Sequence, residues 1–205
     1  MKLLITNKWF FWYIKRSFVN NIKGGYMKKI LILIVSLFLL TGCDTLMNTP
    51  TKRVENLLSK YQQQDSEVLT QLDNTLRDET LMNSEQKNRY RDLMMKQYDN
   101  LAYTIKDETV DGRTAVVEVE IEVYDYNKAI SEAEDYLLNN VTLFQDDSGN
   151  VNNSRYNDYK IEQMEKVKDK VTYTINFTLS QVDDKWLVDD LTETERMKLH
   201  GLYAY

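Results

Sequence analysis

Residues Val117–Val123 read VEVEIEV, and this stretch decides the fold. Successive side chains of a strand point to opposite faces, so Val117, Val119, Ile121 and Val123 share one face while Glu118, Glu120 and Glu122 share the other. One aliphatic face and one carboxylate face mark a strand of an antiparallel sheet, packed on one side and wet on the other. A second run alternates in the same way: Val171, Tyr173, Ile175, Phe177 and Leu179 against Thr172, Thr174, Asn176, Thr178 and Ser180. Asp111-Gly112, a strong hairpin signal, joins the first run to an earlier alternation of Leu101, Tyr103 and Ile105. Asp183-Asp184 turns the second run into Trp186-Leu187-Val188. About four antiparallel strands are expected.

Helical periodicity precedes the strands. Thr51 is a plausible N-cap, followed by Val54, Leu57, Leu58 and Tyr61 at helical spacing. The stripe resumes at Val68, Leu69, Leu72 and Leu76 after a polar stretch, which fits either two helices broken near Asp65 or one bent helix. A third helix starts at Asn83 or Ser84 and presents Tyr90, Leu93, Met94 and Tyr98. Between the strand pairs, Asp125 caps a helix running to about Asn139 with Ile130, Ala133 and Leu137 inward. Gln145 to Asn157 reads as a polar loop, and Tyr159, Ile161 and Met164 as a short helix. Thr192-Glu193-Thr194-Glu195 has the capping-box pattern of a last short helix bearing Met197. The expected fold is α+β: N-terminal helices on a curved antiparallel sheet, a helical insertion between strand pairs, and a C-terminal helix.

Ahead of this domain the composition changes. Seven of the 26 basic residues and none of the 32 acidic ones precede residue 43, leaving 19 against 32 and a net charge of −13 on residues 43–205. A basic leader before an acidic body is the charge split that export produces. The acidic body disfavours nucleic acid and anionic lipid headgroups as main partners, since both would be repelled. From Met27 the chain reads Met-Lys-Lys, then ILILIVSLFLL over residues 30–40, then Thr41-Gly42-Cys43. As a helix the apolar run rises only ~16 Å, about half a bilayer core, so it reads as a signal segment rather than a spanning helix.

Leu40-Thr41-Gly42-Cys43 resembles the lipobox of bacterial lipoproteins at all four positions. The resemblance implies a diacylglyceryl group on the Cys43 thiol and cleavage by signal peptidase II between Gly42 and Cys43. Residues 27–42 are then the signal peptide, 43–50 a lipidated tether and 51–205 one extracytoplasmic domain. Residues 1–26 are expected to be leader translated by mis-assignment of the start: codons for Lys23-Gly24-Gly25 can form a ribosome-binding site just before Met27. An extended membrane-associated leader is the alternative.

The helical start, the long alternating strand and the closing YTINFTLSQVDDKWLVDDL of residues 173–191 resemble cone-shaped domains of the nuclear-transport-factor-2-like and cystatin-like kind. That resemblance implies a sheet wrapped around helices to leave a cavity, with Tyr103, Tyr173 and Trp186 as its lining and ligand-binding candidates. The helical insertion departs from the simplest version of such a fold.

No candidate for chemistry reads strongly. His200, the single histidine, reads as a surface or helix-end residue, and Cys43 is the sole cysteine, so a mixed His/Cys metal site is not expected. The loop from Asp146 fails as a calcium loop twice: Val151 stands where glycine is required and Asn157 where a bidentate glutamate belongs. The Glu118, Glu120 and Glu122 ladder reads as the solvated face of the sheet. No catalytic residues, metal or cofactor are expected. The leading expectation is a membrane-anchored, non-enzymatic interaction or small-ligand-binding lipoprotein, held by lipid on Cys43 and open to a protein partner at the cell surface. The alternatives are an extracytoplasmic enzyme with a cone-shaped pocket, or an accessory subunit of a secretion or conjugation complex. Ionisable groups buried together in one cleft would favour the enzyme; an aliphatic and aromatic lining would favour binding. Replacing Cys43 with serine is expected to abolish metabolic labelling with fatty acid and to leave a precursor of unreduced mass; a normally processed Cys43→Ser protein would refute the lipobox reading.

Overall fold

The computed structural model describes residues 48–204. Lipobox positions Gly42 and Cys43, with the whole of 1–47, lie outside the described residues. From Asn48 onward the chain is one compact unit.

Three helices come first: α1 (Pro50–Gln62), α2 (Ser66–Asp78) and α3 (Ser84–Asp99). Thr49, not Thr51, caps α1: its side chain accepts from the Lys52 amide, and Pro50 occupies the first turn, where a missing N–H costs nothing. The stripe breaks into two helices. Gln64 adopts a left-handed φ of 52°, Asp65 N–H reaches back to the Lys60 carbonyl, and Gln64 N–H reaches the Tyr61 carbonyl. This is a Schellman stop, and Asp65 at once caps α2. Asn83 and Gln86 form a reciprocal capping box on α3.

The sheet is an antiparallel meander, β1 (Ala102–Asp111), β2 (Thr114–Tyr124), β3 (Lys170–Val182) and β4 (Lys185–Val188), in that spatial order. Both turns have two residues. Gly112 alone has positive φ in the first, whereas Asp183 and Asp184 both do in the second, at 48° and 59°. That is the backbone of a type I′ turn, whose twist matches the flanking strands. Register pairs Val117 with Phe177, Val119 with Ile175 and Ile121 with Tyr173, so the two aliphatic faces coincide. Val117, Val119, Ile121 and Val123 are fully buried. At about 2 kcal/mol for each large apolar side chain buried, this face is a main source of stability. Val54, Leu58 and Tyr61 of α1 join the same core.

Between β2 and β3 lie α4 (Tyr126–Asn139), a 3-10 turn (Val141–Phe144) and α5 (Asn153–Glu165). Asp125 caps α4 as expected, through the Lys128 amide. The polar loop is shorter than its composition suggests, because α5 begins at Asn153 rather than near Tyr159. Two features escape an apolar count. Asn157 is buried and donates to the Leu81 carbonyl, and Tyr156 and Tyr159 pack edge-on to Phe144. The remaining loop closes on itself: the Asp146 carboxylate accepts from the Ser148 and Asn150 amides. A final helix, α6 (Glu193–Leu199), carries the expected capping box of Thr192 and Glu195.

Helices, sheet and C-terminus meet at Gln97. Its buried amide accepts from Tyr124 N–H and donates to Tyr124 C=O, so a helix side chain continues the pairing at the end of β2. Gly201 sits against the same carbonyl with φ +68°, and a Cβ there would collide with Tyr124 O and the Gln97 amide. Gly112, also at positive φ, faces open space. Gly201→Ala should therefore cost more than ~2 kcal/mol in urea unfolding, and Gly112→Ala about 1 kcal/mol from backbone strain alone. Equal costs would show that the contact at Tyr124 carries no weight.

Candidate functional site

Two concavities matter among the described residues. The first, of about 550 Å³, lies where α2, α3, α4, α5 and α6 converge. Leu76, Met82, Tyr90, Ile130, Met164, Met197 and Leu202 line it, with Asp78, Glu79, Asn127 and Lys160 among the polar contributors. Each element delivers its residue for a local reason. Leu76 is the last buried position of the α2 stripe. Asn127 is fixed because its N–H bonds the Gly201 carbonyl, which places the first turn of α4 beside Leu202. Met164 belongs to the buried face of α5.

The lining is soft and mostly apolar. Three methionines, unbranched and polarisable, adapt to irregular shapes. Burial, helped by the Glu79 carboxylate, pushes the Tyr90 hydroxyl up to about 12; like an ordinary tyrosine it is protonated at neutral pH and can donate. Its volume falls within the range of small-molecule sites.

The second concavity is larger, about 960 Å³, and is lined by residues of α1, α2, β4, the segment after β4, and Arg196 of α6. Trp186 and Tyr61 contribute aromatic surface, and Arg53, Lys60, Glu67, Asp189, Asp190 and Arg196 contribute charge of both signs. Several of these charges are spent on one another: Lys60 pairs with Glu67 at 2.6 Å, and Arg196 pairs with Glu193 at 3.1 Å.

The aromatic candidates do not gather in one place. Tyr103 and Tyr173 flank Ile121 in a single row across β1, β2 and β3. Tyr173 is buried and donates to the Tyr203 carbonyl at 2.8 Å, with the Tyr203 ring packed edge-on. Trp186 lies opposite Gln181, eight residues farther along β3, which is roughly 26 Å at ~3.3 Å per residue. It lines the second concavity, and neither tyrosine lines the first.

His200 is the C-cap of α6. It is not a free surface group: its Nε2 lies 3.1 Å from the Tyr98 hydroxyl, and the Tyr61 ring stacks edge-on against Tyr98. Some ring surface remains accessible, yet protein atoms surround it densely. That desolvation lowers its pKa to about 4; Glu193 opposes the shift and Arg196 adds to it. Burial likewise raises the Tyr98 hydroxyl far above the ordinary tyrosine range. The carboxylate ladder faces outward, where Glu120 pairs with Lys106 and Glu122 with Lys170. Such exposed pairs contribute little. Among the described residues no cluster of three or more His, Cys, Asp or Glu side chains could hold a metal ion.

Sequence reading placed Met164 and Met197 on helices but not around one cavity. The signal available was the unusual number of methionines, eight in the chain. Their convergence depends on five segments meeting, which local periodicity does not encode.

Residues 27–43 match the family described as prokaryotic membrane lipoprotein lipid attachment site, so the chain carries that attachment motif. In structure, a Bacillus subtilis protein described as "putative lipoprotein (ycdA)" aligns with a TM-score of 0.37 and 13% identity, over 59% of this chain and 38% of that one. The aligned part thus spans well under half of that protein's length. No curated protein matches the sequence. Among the described residues no helix is long and apolar enough to cross a membrane.

A histidine whose folded pKa lies below its unfolded one stabilises the fold fully above the unfolded value of 6.5 and loses that contribution as pH falls towards 4. Urea unfolding should accordingly show stability dropping by about 1 to 2 kcal/mol from about pH 7 to about pH 5, with His200→Phe removing that part of the slope. An unchanged slope in His200→Phe would place the neutral histidine elsewhere than in this contact.

Proposed function

We propose that this protein is a lipid-anchored, extracytoplasmic, non-enzymatic binding module, and that the methionine-lined cavity is its ligand site. The observation that carries the reading is the character of that cavity. Leu76, Ile130, Met82, Met164, Met197 and Leu202 offer an apolar interior, with the protonated Tyr90 hydroxyl as a polar contact. Such a site suits a small amphipathic ligand: an apolar body held by area and shape, one acceptor held by Tyr90. Asp78 is exposed and Glu79 and Lys160 are only partly covered, so these ionisable groups are wetted rather than enclosed as a pair of reacting groups would be.

The anchor half of the proposal rests on the attachment motif at residues 27–43, with Cys43 as the acylated residue, Gly42 as the last residue removed and the acidic domain exported. The likeness to cone-shaped nuclear-transport-factor-2-like domains is supported by a sheet packed on helices through one face. The cavity, however, is built by helices and the C-terminal segment, with no strand residue in its lining.

An environment-sensitive apolar dye, N-phenyl-1-naphthylamine, tests the site. Fluorescence titration of the wild type should saturate, and Met197→Trp and Ile130→Trp, which fill the cavity from two different helices, should each weaken binding by about tenfold or more, ~1.4 kcal/mol. Leu187→Ser, an exposed position on β4, should leave affinity unchanged. Unaltered dye affinity in both tryptophan variants, with folding intact by circular dichroism, would move the site elsewhere.

A further inference from the structure

The end of the domain where the chain enters is fixed by one side chain. Asn48 Nδ2 donates to the Asp184 carbonyl at 2.7 Å, and its Oδ1 accepts from the Trp186 amide at 3.0 Å and from Arg53 Nη2 at 3.2 Å. Three residues on, Thr51 binds the Glu108 carboxylate through both its amide and its hydroxyl, tying the same end of α1 to β1. The first described residue is thus clasped to the β3–β4 turn. The β1–β2 turn lies beside it, since Arg113 and Gln181 exchange hydrogen bonds.

Only four residues separate Asn48 from Cys43, so the clasp stands five Cα steps, at most about 18 Å, from an acylated cysteine at full extension. Four exposed aliphatic side chains cluster around these two turns: Val110, Val116, Val182 and Leu187. By contrast, the methionine-lined cavity lies at the other end of the sheet, beside the Asn127–Gly201 contact that follows Tyr124. β3 runs the whole way from Lys170, opposite Tyr124, to Val182, some 40 Å at ~3.3 Å per residue.

We infer that the paired hairpin turns are the membrane-facing surface of the domain, and that Val110, Val116, Val182 and Leu187 rest in the lipid interface while the cavity opens away from it. The inference rests on acylation of Cys43. The tether carries the orientation: at this length the clasped end has little room to turn away, so the four aliphatic side chains there are the ones brought to the interface. Charge does not drive it. Asp111, Asp183 and Asp184 outnumber Arg113 and Lys185 on the two turns, so the contact should survive high salt. One consequence is that ligand reaches the cavity from the aqueous side and not from the bilayer.

Acylation occupies the only native thiol, so a single added cysteine can be labelled uniquely. Full-length lipidated protein carrying Val182→Cys or Lys168→Cys is labelled with a nitrobenzoxadiazole dye and reconstituted into phosphatidylcholine–phosphatidylglycerol vesicles. These two sites bracket β3. The dye at position 182 should shift to the blue and lose most of its emission when the vesicles contain headgroup-region spin-labelled lipid, at low and high salt alike. At position 168 it should do neither. Equal quenching at both sites, or stronger quenching at 168, in protein that floats with the vesicles would overturn the orientation while leaving the anchor intact. Failure to float, with no acyl mass on Cys43, would instead overturn the anchor and the orientation with it.

Discussion

A glutamine holds the architecture together. Gln97 sits in α3, yet its amide satisfies both backbone groups of Tyr124 at the end of β2, and no water is needed there. The last residue of the strand therefore cannot drift from the helix. Gly201 is pressed onto the same carbonyl, and its own carbonyl accepts from Asn127. Three distant segments become one joint through the backbone polar groups of a single residue, Tyr124. The cavity is a by-product of this joint, since Asn127 and Leu202 leave it side by side.

A buried amide in such a place is worth more than its hydrogen bonds alone. An unsatisfied N–H or C=O inside the core costs about 1 to 3 kcal/mol, so alternative placements of α3 or of the C-terminal tail are penalised. Gln86 acts similarly at the other end of α3, where its side chain donates to the Ser154 carbonyl and the Asp158 carboxylate of α5. α3 is pinned at both ends by polar contacts, whereas the sheet is held to the helices mainly by apolar area. The cavity lies on the helical side of this division, among α2 to α6, where packing is left incomplete.

Charge separates the two ends of the molecule less than chemistry does. Exposed carboxylates are spread over the surface, and most ion pairs join neighbours on it, such as Arg91 with Asp73 and Arg89 with Glu165. His200 adds no charge to this pattern, being kept neutral by its surroundings and set against Tyr98. Most polar side chains buried among the described residues close caps, turns and helix contacts, such as Gln86, Gln97, Asp125 and Asn157, whereas Tyr90 lines the apolar cavity.

The amino-acid order by itself determined the elements that depend on neighbours. Alternation at Val117–Val123 and Val171–Leu179 set two strands and their buried face, because a pleated strand has a period of two whatever it packs against. Asp111-Gly112 and Asp183-Asp184 set the turns through backbone conformations few residues tolerate, and Thr192-Glu193-Thr194-Glu195 set a cap within four residues. The attachment motif at Leu40-Thr41-Gly42-Cys43 is likewise local. What only the tertiary structure decided lies between segments. The burial of Asn157 depends on its reaching Leu81, seventy-six residues away in sequence, although the start of α5 is capped locally by Asn152 on the Arg155 amide. The dispersal of Tyr103, Tyr173 and Trp186 follows from strand register, and the meeting of Met82, Met164 and Met197 from the packing of helices around Gln97. Neighbours along the chain fix conformation; partners far along it fix position, and a binding cavity is a matter of position.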